Sequence, residues 1–172
     1  MSSTHIQTRS LRLVPQTRED VRRYIEQMQP HEKAELSAAW LALLEDSIPA
    51  DPWVHGFKLV HRISGDLIGR CGFKGPPGAD GVVEIAYGVA DEAPGKGYAT
   101  EAAAALVEYA FSDDKVRVVR AHTLPEPNAS TRVLTKCGFQ RVGEVVDPGD
   151  GLVWRWERPD SAAWRTKPEK EG

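Results

Sequence analysis

A chain of 172 residues with 41% hydrophobic and 27% charged side chains has room for one buried core and the composition of an ordinary globular domain. Its formal charge of −3 gives no electrostatic reason for a standing partnership with nucleic acid or an anionic membrane. No apolar run approaches the roughly 20 residues of a membrane span, and Met1–Ser10 has no apolar segment of a secretory signal. Cys71 and Cys137 read as two reduced thiols, so a cytoplasmic location is expected.

In chain order, Arg9–Pro15 reads as a first strand with Leu11 and Leu13 on one face. Thr17 followed by Asp20 has the form of a capping box, and helices are expected at Arg18–Met28 and Glu32–Leu44. In the second helix Leu36, Ala39, Trp40 and Leu43 keep the spacing of a buried stripe. Val54–Arg62 and Leu67–Lys74 are expected to form a hairpin through Ser64-Gly65-Asp66, and Val82–Val89 is the next strand. A long helix should run from Gly95 to Phe111, then a strand from Val116 to Thr123 and a short helix from Asn128 to Cys137. Gly138 stands where a left-handed C-terminal cap belongs. Strands at Phe139–Val145 and Leu152–Glu157 complete the series. The order describes an α+β domain over residues 1–159, with one parallel strand pair in the middle of an otherwise antiparallel sheet. Residues 160–172, rich in Lys, Glu and Pro, read as a flexible tail.

Two segments carry candidate chemistry. Along Val82–Val89 the residues alternate faces, so Val83, Ile85, Tyr87 and Val89 share a core face, while Glu84 stands with the small Ala86 and Gly88 on the other. Glu84 is then either a solvated strand residue or a functional carboxylate with open space beside it. Gly95 and Gly97 flank Lys96 just before a helix start. Glycines allow close backbone approach, and a helix start offers unpaired N–H donors and a positive dipole end, which together suit a pyrophosphate. Pro94 suits the first turn of such a helix. The segment is neither a P-loop, since Gly97 follows Lys96, nor a dinucleotide fingerprint, since Thr100 takes the third glycine's place.

The run Val83-Glu84-Ile85-Ala86-Tyr87-Gly88-Val89, followed by Gly95-Lys96-Gly97-Tyr98-Ala99-Thr100-Glu101-Ala102, resembles the central motif of the GNAT superfamily of N-acetyltransferases. Its wording is similar to the RimJ/RimL-type branch. So is the downstream run from Asn128 through Ser130, Val133, Leu134 and Lys136 to Gly138-Phe139, and so is the opening Thr8–Leu13. The resemblance covers Thr8 to Glu157. It implies a six- to seven-stranded mixed sheet with a central splayed parallel pair and helices on both faces.

The resemblance also implies acetyl-CoA as acetyl donor, with no metal, and an amine-bearing acceptor, either a protein N-terminus or a small molecule; it admits a homodimer. The cofactor-binding positions it marks are Val89, Pro94, Gly95, Lys96, Gly97, Tyr98, Ala99, Thr100, Asn128, Ser130 and Lys136. Pro94 stands where the family has Gln or Arg, while Gly97 and Ala99 match. The position of the tyrosine that many members use as general acid holds Leu134, which leaves Ser130 or water to protonate the departing thiolate. Glu84 takes the place of the general base, with a pKa that burial would have to raise for work near neutrality. A backbone N–H near Gly88 or Val89, freed by a bulge, would be the oxyanion donor. A non-catalytic acyl-CoA-binding module is the alternative.

The remaining candidates have blander readings. The five histidines, at positions 5, 31, 55, 61 and 122, show no zinc spacing. Cys137 reads as core, as do Trp154 and Trp156 beside Leu152. Trp40, Glu45, Trp53, His55 and Phe57 fall where the family shapes its acceptor site.

Overall fold

The computed structural model describes residues 6–34, 36, 38–46, 51–89, 97–147 and 151–160. Among them run the strands β1 (Ile6–Gln7), β2 (Leu11–Pro15), β3 (Phe57–His61), β4 (Leu67–Phe73), β5 (Val82–Val89), β6 (Val118–Thr123), β7 (Gln140–Asp147) and β8 (Gly151–Pro159). The helices are α1 (Arg18–Glu26), α2 (Pro30–Ala34), α3 (Ala38–Asp46), α4 (Pro52–His55), α5 (Tyr98–Phe111) and α6 (Ala129–Lys136). One mixed sheet has the order β1-β2-β3-β4-β5-β6-β8-β7, and β5 and β6 are its parallel pair. This is the α+β architecture expected.

The sheet has eight strands rather than six or seven. The added strand, β1, exists because the Thr8 N–H donates to the Leu11 carbonyl (2.8 Å) and folds Ile6 and Gln7 back onto Leu13 and Arg12. Two residues carry no periodicity that a sequence reading could detect.

The Thr17–Asp20 capping box forms in full and starts α1. The single helix expected over 32–44 is instead α2 and α3. In α3 the fully buried residue is Leu44, whereas Leu43 is exposed, so the stripe is displaced by one position from the expected phase. The strand expected from Val54 begins only at Phe57. Asp51 caps a one-turn helix by accepting from the Trp53 N–H (3.1 Å), Pro52 takes its first position, and Gly56 at φ 68° ends it.

The core lies between one sheet face and the long helix. Leu11, Leu13, Phe57, Leu59, Val83, Ile85 and Val119 meet Ala102, Ala103, Leu106 and Ala110 of α5. The small alanines let α5 lie close to the sheet, and Leu106, with no exposed surface, contributes about 1.5–3 kcal/mol by its burial. Leu134 of α6 and Phe139 join the same core. Trp156 enters it too, its indole N–H donating to the Thr123 hydroxyl (3.0 Å). Trp154 is only half-buried, with Arg141 stacked on its ring at 4.0 Å, and Leu152 is exposed. The opposite face carries a smaller cluster in which Val21, Leu44 and Val54 pack with Ile25 and Trp40. There α4 lies flat on β4, because a β-carbon on Gly72 would sit 2.9 Å from the Gly56 Cα.

Candidate active site

The parallel ladder sets the site. Its register runs Val82↔Val118, Val83↔Val119 and Glu84↔Arg120, and no pair follows. Beyond Glu84 the two strands part, while β5 stays fully paired to β4 as far as Gly69↔Val89. The Lys74 N–H donates to the Glu84 carbonyl (2.9 Å), so Glu84, Ala86 and Gly88 direct their backbone groups towards β4. By alternation the amides of Ile85, Tyr87 and Val89 face the gap. Of the two candidates for oxyanion donor, Val89 rather than Gly88 therefore has its N–H on the correct side. No bulge is needed, because the splay itself frees these groups.

Glu84 stands at the head of the gap, half-buried, and is not a lone solvated carboxylate. It accepts a hydrogen bond from His122 Nδ1 (2.7 Å) and an ion pair from Lys74 Nζ (3.2 Å). His122 Nε2 in turn accepts from Arg155 Nε (3.1 Å). An arginine can only donate, so Nε2 carries no proton and Nδ1–H points at the carboxylate. The chain Arg155–His122–Glu84 thus holds the carboxylate in one orientation. Arg120, directly across from Glu84, is turned to Glu157 instead (2.7 Å).

At the far end of the gap, Gly97 precedes α5 with φ 82° and ψ 7°, a conformation that favours glycine. No side chain caps the helix, and no described atom lies within 4 Å of where a β-carbon on Gly97 would be. The first amides of α5, from Tyr98, Ala99 and Thr100, therefore open outward as the anion seat requires, and the donor set fits a pyrophosphate. Pro94, Gly95 and Lys96 lie outside the described residues. Glu101 anchors this end of α5. Burial opposes its carboxylate, but the Thr8 hydroxyl and the Ser10 N–H (2.9 Å) outweigh that and hold its pKa below the ordinary value.

The second motif forms α6. Asn128 is its cap, accepting from the Thr131 N–H (3.0 Å) while Thr131 accepts from the Asn128 N–H (2.9 Å), so the amide oxygen is engaged by the helix start. Leu134 is buried in the core and Lys136 is exposed in the last turn. Ser130 stands near the Tyr87 phenol, whose pKa burial pushes up to about 12 against the lowering influence of that hydroxyl, so the phenol stays protonated at neutral pH. Cys137 is half-buried over the Thr100 carbonyl (3.6 Å), and burial raises its pKa against Arg158, which keeps the thiol protonated and inert.

A cavity of about 480 Å3 opens on the α1 side of the sheet, walled by Val21, Tyr24, Ile25, Trp40, His55 and Arg70 and reaching Lys74, Ala86 and Tyr87. Lys74 also borders a smaller hollow of about 280 Å3 that contains Glu84 and Arg120, so it stands between the two. Of the aromatic candidates, Trp40 lines the cavity, its indole N–H fixed on the Val54 carbonyl (3.2 Å). Trp53 and Phe57 pack on Tyr109 in the core, and Glu45 pairs with Arg22 (2.7 Å) outside it. His55 is buried, accepts from the Asp51 N–H (2.9 Å), and has its pKa lowered by burial.

Sequence reasoning passed over His122 and Arg155 as site residues and took Tyr87 only as core. The one signal available was parity, since His122 lies on the same face of its strand as Arg120. No group of three or more potential metal ligands occurs among the described residues, and no described helix is long and apolar enough to cross a membrane.

Comparison with known proteins agrees with this fold. The uncharacterized N-acetyltransferase p20 of Bacillus licheniformis is 31% identical over 91 residues, 53% of this chain and 51% of that protein, so the chain spans about half the length of the curated relatives it matches. The structure superposes on a spermidine N-acetyltransferase SpeG chimera from Vibrio cholerae and hSSAT (TM-score 0.66, 20% identity, 90% and 98% of the two chains). It also superposes on the aminoglycoside acetyltransferase AAC(6')-Ib in complex with coenzyme A (TM-score 0.62, 24% identity, 92% and 99%). Residues 8–140 match the model of the acetyltransferase (GNAT) domain, and the chain belongs to that family.

Proposed function

We propose that the protein transfers the acetyl group of acetyl-CoA to a primary amine by direct attack in a ternary complex. The observation that carries this reading is the parallel pair that stops at Glu84, leaving one gap bounded by an oriented carboxylate and the open start of α5. The amine must lose a proton to expose its lone pair, and Glu84 receives it directly or through water. As the C–N bond forms, charge develops on the thioester oxygen, and the Val89 amide is placed to stabilise it. When the C–S bond breaks, the thiolate needs one proton. The Ser130 hydroxyl, near the Tyr87 phenol, supplies it. The chain's own residues do the rest by positioning.

Within the family, the wording around Gly97 and Ser130 supports a RimJ/RimL-like member, with a protein N-terminus or a small molecule as acceptor. The two free thiols suit a cytoplasmic setting. One observation favours a different reading, a non-catalytic acyl-CoA-binding module: Leu134 is sealed in the core where many relatives place a tyrosine. Thiol release separates the two. Incubated with acetyl-CoA and a panel of primary amines, the protein should melt higher with acetyl-CoA and liberate CoA when an amine is added. A melting shift without thiol release from any amine would support the binding module, and neither response would refute both.

A further inference from the structure

The charge on the cavity walls points to the acceptor. The described walls are largely apolar, with Val21, Ile25, Met28, Trp40, Val54 and Phe73, and they contain no aspartate or glutamate. His55 is neutral in its buried place, so the ionised groups are Lys74 and Arg70. Lys74 is already paired with Glu84. Arg70 is held differently. Its Nε donates to Gln16 Oε1 (3.3 Å), Gln16 is fixed by donating to the His55 carbonyl (2.8 Å), and the guanidinium lies 3.9 Å from the centre of the Tyr24 ring. No described carboxylate comes within 4.0 Å of it, so an oriented cation stands in a largely apolar wall with no ion-pair partner among the described residues.

A polycationic acceptor entering this space would meet a like charge and, among the described walls, no carboxylate to offset its own desolvation. An acceptor that carries a carboxylate would supply the anion that a guanidinium fork is shaped to bind. The register adds a second constraint. Arg70 lies directly opposite Gly88, beside Val89 where the gap opens, so a carboxylate bound to Arg70 keeps a neighbouring amine near the reacting end of β5.

We infer that the acceptor is an apolar or aromatic α-amino acid, its carboxylate on Arg70, its side chain against Trp40 and Val54, and its α-amine turned to the gap. This rests on the acetyl-transfer reading and narrows it. The C–N bond forms at the α-nitrogen and the C–S bond of acetyl-CoA breaks; of the two protons the ammonium gives up, one leaves through Glu84 to solvent and the second balances the proton that the departing thiolate takes up as CoA.

The test compares L-phenylalanine, L-leucine and L-tryptophan with their carboxamides, with a leucyl peptide, and with spermidine and kanamycin. Each is assayed for CoA release at saturating acetyl-CoA, and for the rise in melting temperature of the CoA-loaded protein. The free acids should exceed their amides in kcat/KM by about 10- to 100-fold, the size of one charge-assisted contact. Spermidine and kanamycin should fall below the acids. Arg70→Gln should remove the preference by lowering the acids alone, with Arg70→Lys intermediate. The acid-versus-amide comparison in the unaltered protein stands even if the variants fail to fold. Equal values for acid and amide, or a preference for the peptide or spermidine, would overturn the inference while leaving acetyl transfer intact. If no amine released CoA but acids still raised the melting temperature above amides, the cavity assignment would stand and the transfer reading would fall. Absence of both would overturn both.

Discussion

Gly97 offers the sharpest test of the cofactor seat, because two substitutions there should separate backbone strain from ligand loss. Its φ of 82° costs a residue with a β-carbon about 1–2 kcal/mol, and no described atom lies within 4 Å of that β-carbon to add a clash. A chain of this length loses roughly 2–4 °C of Tm per kcal/mol, so Gly97→Ala should melt about 2–8 °C below the parent. Acetyl-CoA at 100 times its Kd adds about 2.7 kcal/mol to a protein that binds it only when folded, or about 5–11 °C. Gly97→Ala should keep most of that shift. Gly97→Glu carries the same strain but regains about 0.3–1 kcal/mol from a carboxylate at the positive end of α5. Without ligand it should therefore melt slightly above Gly97→Ala, yet acetyl-CoA should not move it, since the seat already holds a negative charge. Differential scanning fluorimetry over a titration of acetyl-CoA reads both effects. A parent-sized acetyl-CoA shift in folded Gly97→Glu would refute the seat, and an unchanged Tm in Gly97→Ala would refute the left-handed turn.

Glu84→Gln should lower kcat by about 10²- to 10⁴-fold and abolish the acidic limb of the pH–rate profile, with acetyl-CoA binding retained; a mutant with full kcat and the same limb would return Glu84 to a structural ion pair. Ser130→Ala and Tyr87→Phe should each reduce turnover by a few-fold while leaving the acetyl-CoA melting shift in place. If the two hydroxyls form one relay, the double variant should lose no more than the larger single loss, whereas additive losses would mean they act separately. His55 has a folded pKa below its ordinary 6.5, so the unfolded chain binds the proton more readily. Its contribution to stability is complete above about pH 6.5 and is lost as pH falls towards the folded value. Urea melts from pH 7.5 to 5 should show a decline that His55→Asn flattens, and an unaltered slope in the variant would refute the buried neutral histidine.

The reading of the chain as a sequence succeeded wherever the signal was local. Alternation placed β5 at Val82–Val89, its observed bounds, because a half-buried strand writes its period into eight consecutive residues. The Thr17–Asp20 box and Gly138 at φ 88° are likewise set by a few neighbouring residues, whatever the rest of the chain does. It faltered where two locally reasonable structures competed. Val54 and His55 read as the start of a strand, yet Asp51, Pro52 and Gly56 punctuate a helical turn; packing on Gly72 of β4 decides for the turn. The phase of α3 failed for a similar reason, since Leu44 rather than Leu43 meets Val21 and Val54 across elements far apart in sequence.

Glu84 and Gly97 could be named from the sequence because each lies in a segment that carries its own pattern. The partners of Glu84 could not. His122 follows it by 38 positions and meets it only because β6 lies parallel to β5, while Arg155 reaches His122 only because β8, not β7, is the next strand of the sheet. The same holds for the cavity on the α1 side, where Tyr24, Trp40, His55 and Arg70 come from four elements. Local propensity and periodicity determined β5, the start of α1 and the glycine turn before α5. Which side chains share a hydrogen bond or a cavity wall was decided by strand order and register, long-range choices made by burial of the whole sheet against α5.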